Sequence, residues 1–219
     1  MDIKKFIKEN ADDKNAEFER KLIATKYHIF GIKTPILEAF AKKLAKEGKK
    51  FVDFDIASHE EVILAGLTIA HLKINAKEKL NEFSKILPFI DNWGSCDCIV
   101  PRLKGLESEK EFFASLLESD KEFYVRVGII YLKRFFLNDN LKEIVELLNE
   151  KVKLSSYYVE MALAWTFQHA FTKDFEYMLN FMKNVESKFV KRMTYRKVLD
   201  SLVPSREQKT IIKELLKSM

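Results

Sequence analysis

Glycine and proline are scarce in this chain, with six and four residues in 219. That scarcity excludes a fold built on many tight β-turns and argues against long irregular loops. Cysteine is scarcer still. Cys96 and Cys98 stand two apart, a separation at which disulfides are rare, and two thiols do not complete a tetrahedral zinc shell without distant histidines. A reduced, intracellular protein is expected. No apolar run approaches the length of a membrane span. The opening MDIKKFIKEN lacks the continuous apolar stretch of a signal peptide, so a cytoplasmic protein with no membrane partner is expected. The four histidines show no H-E-x-x-H spacing. A Gly-rich phosphate loop, G-x-S-x-G and the Rossmann fingerprint are missing as well. Standard hydrolases and nucleotide-driven enzymes are therefore disfavoured, and neither a metal nor a cofactor is expected.

What is present is apolar and charged: 47% and 32% of residues, the composition of a folded soluble chain. The length suffices for one domain, 1–219, with a core that needs no staples. The formal charge of +5 is unevenly placed. From Lys183 onward ten Lys/Arg face four Asp/Glu, and AKKLAKEGKK puts five lysines between Lys42 and Lys50. Such clusters suit a phosphate backbone, with Lys42, Lys43, Lys46, Lys191, Arg192 and Arg196 as the candidate contacts. They are equally the ordinary solvated faces of helices.

Nearly every segment has helical period. EEVILAGLTIAHLKI (Glu60 to Ile74) is apolar almost all round and reads as a buried helix, while LKEIVELLNEKV (Leu141 to Val152) carries the stripe of a half-exposed one. Breaks at Gly31 to Pro35, Gly48, Ser58, Asn75, Pro88 to Gly94, Gly105, Asn138 to Asn140, Ser155, Lys173 and Pro204 leave about a dozen helices of ordinary length. Val62, Val125, Val159 and Val190 each begin an apolar helix of similar length. The last three are spaced 34 and 31 residues apart, and the gap of 63 before them leaves room for one more repeat near Cys96. A period of this size is the mark of an all-α, α-solenoid fold of HEAT-like antiparallel helix pairs, here with a concave basic face. One place after each valine stand Ile63, Arg126, Glu160 and Lys191, with Asp97 at the fifth repeat; the charged ones are expected to face solvent or each other.

Trp93 and Asp97 lie four apart, on one face of a helix. With Arg126 and Trp165 they make a set able to hold a nucleotide: indole against sugar or base, Arg on phosphate, carboxylate against developing positive charge. The plainer alternative has both tryptophans in the core, Asp97 capping a helix and Arg126 paired with an acid. Cys96 and Cys98 have no histidine nearby to activate them and read as buried thiols. Pro101 is expected to bend the helix that carries Trp93.

Four segments carry a family likeness. YHIFGIKTPILEAFAKKLAK (Tyr27 to Lys46), NWGSCDCIVP, YVRVGIIYL and YYVEMALAWTFQHAFTKD resemble, in order and spacing, the AlkD-like DNA alkylation repair proteins, over roughly Asp2 to Leu202. Those are HEAT-like DNA glycosylases that release N3- and N7-alkylated purines from duplex DNA. The resemblance implies that Asp97 is the catalytic carboxylate, that Trp93 and Trp165 contact the sugar of the damaged nucleotide, and that Arg126 contacts DNA. It implies alkylated double-stranded DNA as partner and no cofactor or metal; solenoids of this size are commonly monomers. Two positions depart from the family pattern: Gln168 stands where an Arg is usual, and Gly94 where a second Trp is common. The alternative is a catalytically silent DNA- or protein-binding module of the same fold.

Overall fold

Short polar side chains write the helix starts. Asp2, Asp12, Ser58, Asn75, Asn92, Asp174, Ser187 and Ser205 each accept a hydrogen bond from the backbone N–H three residues on, covering a donor that would otherwise lack a partner. The computed structural model describes residues 2–219, and among them there are thirteen α-helices and no strand. None of these helices is long and apolar enough to cross a membrane.

Contacts divide the chain into two compact units, one ending at Lys110 and one running from Glu111 to Met219. The first holds α1 (Ile3–Asn10), α2 (Asp13–Leu22), α3 (Thr34–Lys46), α4 (His59–His71), α5 (Ala76–Ile86) and α6 (Trp93–Ile99). At its centre is α4, packed against α3, α5 and α6, and every residue from His59 to Ala70 is buried. The second unit holds α7 (Lys110–Ser115), which opens at the boundary, then α8 (Glu122–Phe135), α9 (Leu141–Lys151), α10 (Tyr157–Phe171), α11 (Phe175–Phe181), α12 (Lys188–Asp200) and α13 (Arg206–Lys217). There α10 is central, against α8, α9, α11 and α12.

The four marker valines are buried in the first turns of α4, α8, α10 and α12. The segment around Cys96 behaves differently. Its helix starts at Trp93 and lasts seven residues, and Pro101 sits in the 3-10 turn Val100–Arg102 that follows. Pro101 therefore marks the end of the helix and does not bend a continuing one, as its missing N–H and its ring dictate. Arg126, of the charged residues expected to face solvent or each other, does not face solvent: it is 5% exposed.

Two glycines set how closely elements approach α4 and α2. Gly66 on α4 faces Ile99, and a Cβ there would overlap that side chain. Gly31 has φ +77°, and a Cβ would overlap the backbone of Asp12 and Ala16 at the start of α2. Neither clash partner of Gly31 is a flexible side-chain end, so the loop is shaped for glycine. Gly31→Ala is expected to cost about 2 kcal/mol or more through φ strain and overlap. A urea melt in which the variant matches the parent midpoint would contradict this.

Candidate nucleic-acid site

The entry to α6 is held from three sides. Asp91 accepts from the Thr25 hydroxyl (2.9 Å), the Lys26 N–H (3.0 Å) and the Asn92 side chain (2.8 Å). Asn92 caps the helix by accepting from the Ser95 N–H at 3.0 Å. Trp93 follows as the first helical residue. Its indole packs on Ala16, Ile23 and Ile29, and its Nε1–H donates to the Leu22 carbonyl at 3.2 Å. That bond fixes the ring against the C-terminal end of α2. Gly94 completes the fit: a Cβ there would stand 3.0 Å from the Asn92 carboxamide oxygen and 3.3 Å from Ile23. A side chain in its place would require both to give by a few tenths of an ångström.

Asp97 lies one turn beyond Trp93, half-buried, within α6 and not at its cap. Charged and polar groups gather at this end of the helix. Arg102 donates from Nε to Glu38 at 3.0 Å and from Nη1 to the Cys98 carbonyl. Glu38 also pairs with Lys42 at 3.1 Å, and His71 Nε2 stands 3.4 Å from it without hydrogen-bond geometry. Burial alone would raise the Glu38 carboxyl, but the hydrogen bonds and charges of Lys42 and Arg102 outweigh it and hold the group below its ordinary range. Burial pushes the Cys98 thiol up, with Glu38 and Asp97 adding to the effect against Arg102 and Thr34. A thiol raised in this way stays protonated and is a poor nucleophile. Cys96 is buried. Among the described residues no group of three or more His, Cys, Asp or Glu is arranged to hold a metal ion.

In the second unit, Arg126 donates from Nη1 to the Tyr158 carbonyl at 2.6 Å, tying α8 to the first turn of α10. The neighbouring Tyr158 N–H donates to Glu122 at 3.3 Å. Trp165 is 39% exposed, and the Lys133 ammonium stands 2.9 Å over its ring, a cation–π contact. A shallow cleft of about 310 Å³ is lined by Trp165, Gln168, Lys197, Asp200 and Ser201. Lys197 thus supplies a cation in the cleft where Gln168 replaces the family's Arg. The anticipated backbone contacts are unequal. Lys43, Lys46, Arg192 and Arg196 are exposed, Lys42 is engaged with Glu38, and Lys191 donates to the Lys183 carbonyl. Lys133, Glu38 and Arg102 carried no signal in the sequence, because each gains meaning only from partners brought near by folding; Lys197 was legible only as one member of the basic C-terminal run.

A family model described as DNA alkylation repair enzyme matches residues 3–202. The chain belongs to that family. The match spans all four segments that resembled it and both structural units. A comparison with curated proteins returns no match. Membership makes DNA repair the setting for these residues, with DNA as the implied substrate.

The histidine beside Glu38 allows a test of the electrostatics. Burial, helped by the Lys42 charge, holds the His71 imidazole below its ordinary range despite Glu38; burial likewise lowers His59 and His169. A histidine lowered in the folded state contributes stability above its unfolded value, about 6.5, and that stability is lost as pH falls below it. The melting temperature is expected to fall between pH 7.5 and 5.5, and to fall less in His71→Gln. Parallel curves for the two proteins would refute the assignment.

Proposed function

We propose that the protein is a DNA glycosylase that hydrolyses the N-glycosidic bond of N3- or N7-alkylated purines in duplex DNA. The carrying observation is the family match together with Asp97 one turn from Trp93 on α6, half-exposed and not spent as a cap. The HEAT-like repeat accompanies this reading and draws its support from the four buried first-turn valines.

The chemistry asks little of the protein. An alkylated purine already carries positive charge, so its bond to C1′ breaks without a strong acid. The electron pair of that bond passes to the purine nitrogen and neutralises the base. The sugar is left as an oxocarbenium-like cation, which the Asp97 carboxylate stabilises. Water adds its oxygen to C1′ from a position set by the same carboxylate, which takes the proton and returns it to solvent. Trp93, one turn from Asp97, adds the negative face of its indole to the stabilisation of the cation, and Trp165 offers its exposed indole to a nucleotide. Lys133 and Lys197 hold phosphate near Trp165, while Lys43, Lys46, Arg192 and Arg196 bind the backbone elsewhere. Arg126 acts by orienting the start of α10 through its bond to Tyr158.

A second reading is favoured by one observation. Arg126, the residue the family uses on DNA, is buried and engaged with a carbonyl, as suits a binding module that has lost the chemistry. Release of 7-methylguanine from methylated duplex decides between the two. The parent protein is expected to release base, and Asp97→Asn to slow this by about 100-fold or more. Base release no faster than in buffer would end the catalytic reading. Lys197→Ala and Lys133→Ala are each expected to weaken duplex binding and to lower the slope of log affinity against log salt by about 1. An unchanged slope in both would remove them from the interface.

A further inference from the structure

A second concavity lies wholly within the first unit, between α2, the start of α4 and the start of α6. It measures about 260 Å³, and its lining includes Phe18, Leu22 and Trp93 as apolar and aromatic wall, with Glu19 and Glu60 as its carboxylates. Phe18 is 59% exposed, so its ring is open to solvent at the cleft.

Glu60 is the decisive residue. It is 1% exposed, and one oxygen, Oε1, accepts from the N–H groups of Phe30 (3.0 Å), Gly31 (2.7 Å) and Ile32 (3.4 Å). The other oxygen, Oε2, is buried and has no hydrogen-bond donor among the described residues. An acceptor buried without a donor is costly, so it marks a place where a donor from elsewhere is favoured. Glu19 stands close enough to feel Glu60: burial first, and then the Glu60 charge, push its carboxyl up, against a 3.0 Å hydrogen bond from Asn15. Neither carboxylate has an ion-pair partner among the described residues. Two acidic groups thus line one small space with Phe18 and Trp93. The His59 imidazole lines it too, and burial holds that group below its ordinary range despite the Glu60 charge; no lysine or arginine among the described residues lines it.

We propose that this cleft receives a flat, delocalised organic cation that carries N–H donors. Each part of the description has a source. The carboxylates call for positive charge, and the ring faces of Phe18 and Trp93 favour a cation that is flat. The free Glu60 oxygen calls for an N–H, which a quaternary ammonium lacks. An alkylated purine base with its exocyclic amino group has this chemistry. Naming it as the natural ligand rests on the glycosylase reading above; the cation preference itself does not.

The test uses the full chain with Trp165→Phe, so that Trp93 is the sole fluorescent indole, titrated at pH 7 with 7,9-dimethyladeninium. Saturable quenching is expected. The neutral analogue 9-methyladenine should bind about tenfold more weakly, and tetramethylammonium should not compete. Glu19→Gln and Glu60→Gln should each weaken the cation by about tenfold while leaving 9-methyladenine unchanged. Glu60→Gln keeps a carbonyl oxygen for the three N–H groups; if it does not fold, Glu19→Gln decides alone. Equal binding of charged and neutral purines, or parental affinity in the glutamine variants, overturns the proposal. A chain that binds the cation yet releases no 7-methylguanine contradicts the glycosylase reading only. One that releases base without binding the cation contradicts this inference only.

Discussion

Glu60 sits in the first turn of α4, where the helix dipole favours a carboxylate, and sends one oxygen to three consecutive backbone N–H groups of the loop at Phe30 to Ile32. Its neighbour Glu61 turns the other way. It closes the capping box with Ser58 and accepts from the N–H of Ala57 and Ser58. Two adjacent buried carboxylates therefore fasten two different loops to the end of one buried helix. The first loop can come so close because Gly31 has no side chain to collide with α2. The placement of α2 in turn supplies the Leu22 carbonyl that receives the Trp93 indole. The orientation of Trp93 thus depends, through α2 and Gly31, on a glutamate thirty-three positions earlier in the chain. Loss of that carboxylate to an apolar residue would strand three amide donors at once.

The same economy governs the cations. A net charge of +5 says little about where positive charge is available for a phosphate. Lys42 is pulled toward Glu38, and Lys79 is buried, donating to the Lys104 carbonyl at 2.9 Å. Burial lowers the Lys79 ammonium below its ordinary range, the sign of a charge used inside the fold. Lys133 is committed to the Trp165 ring but remains beside an exposed indole. The lysines that matter for a polyanion are those left exposed after such internal demands are met, and they are a fraction of those counted.

The sequence was informative wherever one residue decides a local structure. The breaks at Ser58 and Asn75, the burial of α4 and the recurring valines were all legible, because capping and period act within a few positions. What was not legible acts across distance. Thirty residues separate Glu60 from Phe30, and sixty-four separate Arg102 from Glu38. The burial of Arg126 was hidden for the same reason: the approach of Tyr158, thirty-two positions on, gives its guanidinium a carbonyl partner away from water. The part Pro101 plays was misjudged as well, because a proline can bend a helix or end it, and here it stands in the turn after α6 ends.

The two departures from the family pattern acquire different meanings once their surroundings are considered. At Gly94 the missing tryptophan is a matter of space. A Cβ there would press on the Asn92 carboxamide and the Ile23 side chain, each of which would have to give by a few tenths of an ångström to admit a second indole. At Gln168 the loss is one of charge, and charge need not return at the same position. Phosphate is recognised by a field as much as by a fork, and an ammonium such as Lys197, across the same cleft on the next core helix, restores the field without the bidentate geometry of a guanidinium. A site rebuilt in this way would hold the backbone through a point charge, with less constraint on the angle of the phosphate. A flexible lysine stem gives more tolerance of where that phosphate sits, and less of the fixed orientation that a planar guanidinium fork imposes.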